Sequence, residues 1–162
     1  MKITKRIFLF LLIAVMFLSS IPVSAATGYR DVPKDHWAKA YIEWATAKGL
    51  MNGTGGNEFS PEEPAGRAML VTVLYRSIGS PAVSARTPFT DLKEDWYKKA
   101  VAWAYTNGIV NGTDVNKFSP DDPLTREQLA TILYRYTKNT LKYNVTVSGS
   151  LKKFPDAAKI SD

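Results

Sequence analysis

Apolar residues recur along this chain at helical spacing, twice over. Trp37, Ala40, Tyr41, Trp44 and Ala45 stand at i, i+3, i+4, i+7 and i+8, which puts them on one face of an α-helix. Trp96, Ala100, Trp103 and Ala104 repeat that face. Asp35 and Asp95 stand where N-caps are expected, and Gly49 and Gly108 where a left-handed C-terminal cap is expected. Each of these short helices is followed by a turn at Asn52-Gly53 or Asn111-Gly112, then by a loop pinned by one aromatic in Phe59-Ser60-Pro61 or Phe118-Ser119-Pro120. A second helix starts after Pro64 or Pro123. Its stripe is Leu70, Val71, Leu74 and Ile78 in one case, and Leu129, Ala130, Leu133 and Tyr136 in the other.

The two series are one pattern repeated. Asp31 to Arg76 lies on Asp91 to Arg135 after a single-residue deletion near His36, and beyond it the offset is a constant 59. The sequence therefore predicts an all-α architecture of tandem helix-loop-helix units: residues 28–79, residues 88–138, a polar linker at 139–153, and at 154–162 the first residues of a third unit that is cut short. Phe154-Pro155-Asp156 matches Phe89-Thr90-Asp91. One such unit cannot bury both of its helical faces, so neighbouring units are expected to pack on each other. Tyr143 to Val147 reads as extended at most.

The N-terminus follows a different logic. Lys2, Lys5 and Arg6 precede an unbroken apolar run from Ile7 to Leu18, and Val23-Ser24-Ala25 supplies small residues for cleavage, so residues 1–25 read as a signal peptide. Twelve apolar residues reach only ~18 Å as a helix, too short for a membrane span. Removing this segment leaves 18 basic against 15 acidic side chains, with no Lys/Arg block and hence no electrostatic footprint for nucleic acid. The chain has no cysteine, which excludes disulfides, thiolate zinc sites and cysteine nucleophiles.

Candidate chemistry centres on two arginines. Thr125-Arg126-Glu127-Gln128 is a capping box at a helix start, which puts Arg126 in the first turn; Arg67, behind Gly66, is its counterpart. A cation there opposes the helix dipole at a cost of roughly 0.3 to 1 kcal/mol. Two such residues point to an anion site built from guanidinium and free amides. Internal pairing with Glu62 and Glu63, or with Asp121 and Asp122, is the competing reading. Trp37, Trp44, Trp96 and Trp103 invite sugar stacking, but helical phase assigns Trp44 and Trp103 mainly to the core and leaves Trp37 and Trp96 at the helix starts as candidates. Asp114 to Phe118 opens like a calcium loop but lacks the later ligands. His36 is the only histidine and is not repeated, which argues against a Ser-His-Asp centre.

Taken together, Asp31-Val32-Pro33-Lys34-Asp35-His36-Trp37, Gly49-Leu50-Met51-Asn52-Gly53-Thr54, the Phe-Ser-Pro loops and the Thr125-Arg126 helix start resemble the S-layer homology domain family, over residues 28 to 136. The first copy departs at Gly66-Arg67-Ala68-Met69, without the threonine and acid of the motif. The resemblance implies three repeats in a pseudo-threefold helical bundle with ligand grooves between them. It also implies an exported, non-catalytic protein, held non-covalently at the bacterial cell wall or S-layer surface by a secondary cell-wall polysaccharide, commonly pyruvylated. The family's motif arginine falls on Arg67 and Arg126; Thr125, Gly66, Trp37, Trp96, Asp31 and Asp91 complete the candidate set. No cofactor, metal or nucleic acid is expected, nor a membrane once the signal is removed. Another chain of the same kind, or a missing third repeat, is an expected partner. The alternative is a structural protein-interaction module in a surface assembly. A glycan hydrolase using Asp121, Asp122 or Glu127 is disfavoured, because adjacent loop carboxylates do not oppose each other across a bond.

Overall fold

The computed structural model describes residues 28–146 and 149–159; the expected signal peptide lies outside the described residues. Among the described residues, four α-helices form two helix-loop-helix units: α1 (Lys39–Ala47) and α2 (Arg67–Ser77), then α3 (Asp95–Thr106) and α4 (Arg126–Asn139). Among the described residues there is no strand, only isolated bridges inside the loops and one between Gly66 and Pro123. Beyond α4 there are single 3₁₀ turns at Leu151–Lys153 and Ala157–Lys159.

The helix ends follow local chemistry. Gly49 and Gly108 adopt φ of 66° and 63°. The Gly49 and Leu50 amides turn back to Thr46 and Ala45, and the Gly108 and Ile109 amides to Tyr105 and Ala104, so both first helices stop in the Schellman arrangement. The starts differ from expectation. Asp35 is not a cap, because α1 begins four residues later and is preceded by turns. Asp95 is the first residue of α3 and pairs with Lys98 at 2.7 Å. Instead, the Tyr97 hydroxyl accepts from the Lys93 and Glu94 amides, at 3.0 Å each.

Packing of α2 against α3 is the one extensive contact between α-helices among the described residues. It joins the two units through a core of Val71, Leu74, Tyr75, Tyr97, Val101, Trp103, Ile109 and Phe118. Tyr75 and Trp103 stack at a tilt, with centroids 5.6 Å apart. The second helices also touch directly, through the Ser77 and Tyr136 hydroxyls at 2.9 Å.

Equal sequence does not receive equal burial. Trp103 is 5% exposed as expected of a core residue, whereas its counterpart Trp44 is 58% exposed. Leu129 and Leu133 are likewise exposed, while Leu74 is buried. Helical phase finds the buried face of α2 and α3, but on α1 and α4 the expected stripe is largely exposed and the buried residue is Ile42 or Ile132, off that stripe, because only the α2–α3 pair brings two such faces together.

Candidate functional site

Each loop is held by one carboxylate. The Asp91 side chain accepts from the Phe118 amide at 3.0 Å and from the Ser119 amide at 2.7 Å. Asp31 does the same for Phe59 and Ser60, at 2.9 and 2.6 Å. Burial pushes each carboxyl up, but the amides outweigh it, and both groups sit below the ordinary aspartate range. The clamped serines need this hold: Ser60 and Ser119 lie at φ of 58° and 55°, a region that residues with a Cβ rarely occupy. Asp31 and Asp91 thus position loops, and their oxygens are occupied by backbone.

The clamp on the second loop aims its carbonyls at the start of α2. The Arg67 and Ala68 amides donate to the carbonyls of Asp122 and Pro120, at 3.0 and 2.9 Å. Two of the orphan donors of α2 are therefore satisfied by the neighbouring unit rather than by a side-chain cap. Gly66 permits the approach, since a Cβ there would stand 3.2 Å from the Pro120 carbonyl oxygen. Arg67 is 5% exposed. Its Nε donates to the Phe118 carbonyl at 3.0 Å, one terminal nitrogen reaches Gln128 at 3.5 Å, and the guanidinium lies 5.1 Å from the Phe118 ring centroid. Desolvation lowers its pKa, against the raising influence of Asp122. The competing sequence reading placed its partners at Glu62 and Glu63; they come instead from the other unit.

Arg126 has the same local frame and an opposite environment. Thr125 and Gln128 form the expected reciprocal capping box, with Gln128 N to Thr125 Oγ1 at 3.3 Å and Thr125 N to Gln128 Oε1 at 3.4 Å. The Arg126 side chain is exposed.

Between the units lies a groove of about 360 Å³. The first unit supplies Leu50 to Thr54 together with Met69, Thr72, Val73 and Arg76; the second supplies Trp96. No acidic side chain lines it. Arg76 gives one N–H to the Leu50 carbonyl at 3.2 Å, which fixes the guanidinium at the groove wall. Trp96 is 51% exposed and meets Tyr97 edge-on at 4.9 Å, so one part of the indole is anchored and another is free. Of the sequence candidates, Trp96 alone lines this groove. Trp37 is 80% exposed and stacked on His36. Sequence reasoning paired Arg76 with Arg135 but gave neither a role, because nothing local distinguishes an arginine late in a helix from a solvated one.

Comparison with known proteins fits this architecture. The S-layer homology domain matches residues 28–68 and 88–130, one segment per unit. The chain is 30% identical to an S-layer protein of Bacillus thuringiensis subsp. finitimus across 81% of its own length and 16% of that protein's. It is 28% identical to the S-layer protein sap of Bacillus anthracis across 91% of its length and 18% of the relative's. It is also 29% identical to an endoglucanase of Bacillus sp. (strain KSM-635), across 99% of the chain and 18% of that enzyme. The chain thus spans less than a fifth of the length of these relatives. Matched in both units, over just over half of its residues, the chain belongs to the S-layer homology domain family.

Proposed function

We propose that this chain is a non-catalytic anchoring module at the bacterial cell surface, binding an acidic cell-wall polysaccharide in the groove between its two units. The supporting observation is the groove itself: an indole face and a guanidinium stand on opposite units, with no carboxylate in the groove lining. Trp96 offers a flat apolar face to a sugar ring. Arg76 retains donors suited to a carboxylate such as a ketal pyruvate, and Asn52 and Thr54 offer polar groups for hydroxyls. Arg126, exposed at a helix start, is a second anion anchor in this reading, with Thr125 already engaged in capping. Arg67 contributes by holding the two groove walls together, with Gly66, Asp31 and Asp91 shaping the loops behind them. Trp37 is a further stacking surface outside the groove. The pseudo-threefold bundle with further grooves, an exported location and a cleaved signal peptide belong to the same proposal.

Relatives that include both S-layer proteins and an endoglucanase fit a shared attachment unit on chains of different purpose. Retention on purified cell walls tests the reading. Trp96→Ala and Arg76→Ala are each expected to lower retention about tenfold, the loss of one stacking or charge-assisted contact. Chemical removal of pyruvate is expected to abolish the Arg76 contribution. Full retention by the double variant, with unchanged helicity, would refute the groove as the binding site.

A further inference from the structure

Three asparagines of the chain precede glycine: Asn52-Gly53, Asn107-Gly108 and Asn111-Gly112. In such a pair no side chain on the second residue hinders its amide nitrogen from reaching the asparagine side-chain carbonyl, so the backbone can attack that carbon and close a five-membered succinimide. The fold treats the three pairs in two ways. Asn107 caps α3: its side chain donates to the Trp103 carbonyl at 2.8 Å, and the Gly108 amide donates to the Tyr105 carbonyl at 3.0 Å. Asn139 of α4 closes over the same pair, donating to the Asn107 and Gly108 carbonyls at 3.2 and 3.0 Å. Both the attacking and the attacked group are tied down.

Asn52 and Asn111 are exposed in irregular backbone, and among the described residues neither their side chains nor the Gly53 and Gly112 amides have a hydrogen-bond partner. Packing also fixes the glycines. A Cβ on Gly53 would stand 2.3 Å from the Glu58 carbonyl oxygen and 2.6 Å from the Tyr29 ring, and one on Gly112 would stand 2.5 Å from the Lys117 carbonyl oxygen. A bulkier second residue, which would slow the attack, is therefore closed to both loops. Asn52 in addition lines the groove, whose lining carries the Arg76 guanidinium and no acidic side chain. Arg76 is anchored there on the Leu50 carbonyl, two residues before Asn52.

We infer that Asn52 and Asn111 are sites of spontaneous deamidation, and that conversion of Asn52 silences the groove. The Gly53 nitrogen bonds to the Asn52 Cγ; the bond from Cγ to the side-chain nitrogen breaks, and that nitrogen leaves as ammonia with the proton of the Gly53 amide. Water then opens the ring at either carbonyl, giving aspartate or isoaspartate. Either product places a carboxylate in the groove, where it competes for Arg76 and repels an acidic ligand. Isoaspartate also lengthens the main chain by one methylene next to Gly53, where the Glu58 carbonyl and Tyr29 leave no slack. The silencing rests on the sugar reading above; the conversion does not.

Incubation of the full chain in mildly alkaline buffer, with peptide mass mapping over time, tests the conversion. Asn52 and Asn111 are expected to convert about tenfold faster than Asn107, whose hydrogen bonds must open first. An unchanged Asn52, or Asn107 converting as fast, would overturn the assignment. Retention on purified cell walls reads the consequence. Asn52→Asp is expected to lower it about tenfold, as much as losing the Arg76 contact. The aged chain is expected to lose retention in proportion to its converted Asn52, whereas Asn52→Gln, which closes the larger ring slowly, is expected to lose none between its own fresh and aged samples. Full retention by Asn52→Asp while Trp96→Ala loses it would overturn the silencing and leave the groove as the binding site. Full retention by both would overturn the silencing together with the groove reading. Helicity of each variant separates a lost contact from a lost fold.

Discussion

Arg67 and Arg126 carry the same residue in the same helical position, so truncating each to alanine isolates the effect of tertiary environment. At Arg67 the loss comprises a charge-assisted hydrogen bond to the Phe118 carbonyl, about 1.5 to 3 kcal/mol, and a buried cation–π contact, about 0.5 to 2 kcal/mol. Removing a desolvated charge returns part of that, so Arg67→Ala is expected to cost about 2 to 4 kcal/mol. Arg126 is exposed and opposes the dipole of α4, so Arg126→Ala is expected to lie between neutral and about 0.5 kcal/mol stabilising. Equilibrium urea unfolding reads both. With a slope near 2 kcal/mol per molar, Arg67→Ala is expected to lower the midpoint by about 1 to 2 M without changing the slope. Arg67→Lys keeps the charge but not the planar fork, and is expected to recover less than half of the loss. If Arg67→Ala and Arg126→Ala differ by less than 0.5 kcal/mol, on the order of measurement scatter, the buried arginine does not hold the units together and the reasoning fails.

Both aspartate clamps have folded-state pKa values below the ordinary one, so their stabilisation is complete above the unfolded value of about 3.9 and is lost as pH falls through the lower folded values. Asp91→Asn is therefore expected to cost about 1 to 3 kcal/mol at pH 7 and to lose most of that difference in acid below both values, as followed by melts across a pH series. Gly112 sits at φ 90°, where an added Cβ would stand 2.5 Å from the Lys117 carbonyl oxygen and 2.7 Å from the Phe89 ring. Gly112→Ala is expected to destabilise by about 2 to 4 kcal/mol, measurable as a lower urea midpoint. Thr125→Ala removes the cap of α4 and is expected to cost about 1 kcal/mol, with the loss appearing as faster amide exchange in the first turn of that helix.

The sequence by itself determined the units. Helical spacing, the glycines at 49 and 108, the Thr125–Gln128 box and the internal repeat each depend on neighbours within a few residues, and such local constraints act the same way in both copies. Only tertiary structure decided which copy of each residue is covered. Trp44 and Trp103 are equivalent in pattern, yet α2 lies over one, while among the described residues no helix packs extensively against the helix that carries the other. Arg67 and Arg126 are equivalent in motif, yet one donates into a neighbouring loop while the other faces solvent. The groove escaped the sequence for the same reason. Arg76 and Trp96 are twenty residues apart on different units, and their juxtaposition depends on the packing of α2 against α3, which is a property of the pair of units and of neither alone.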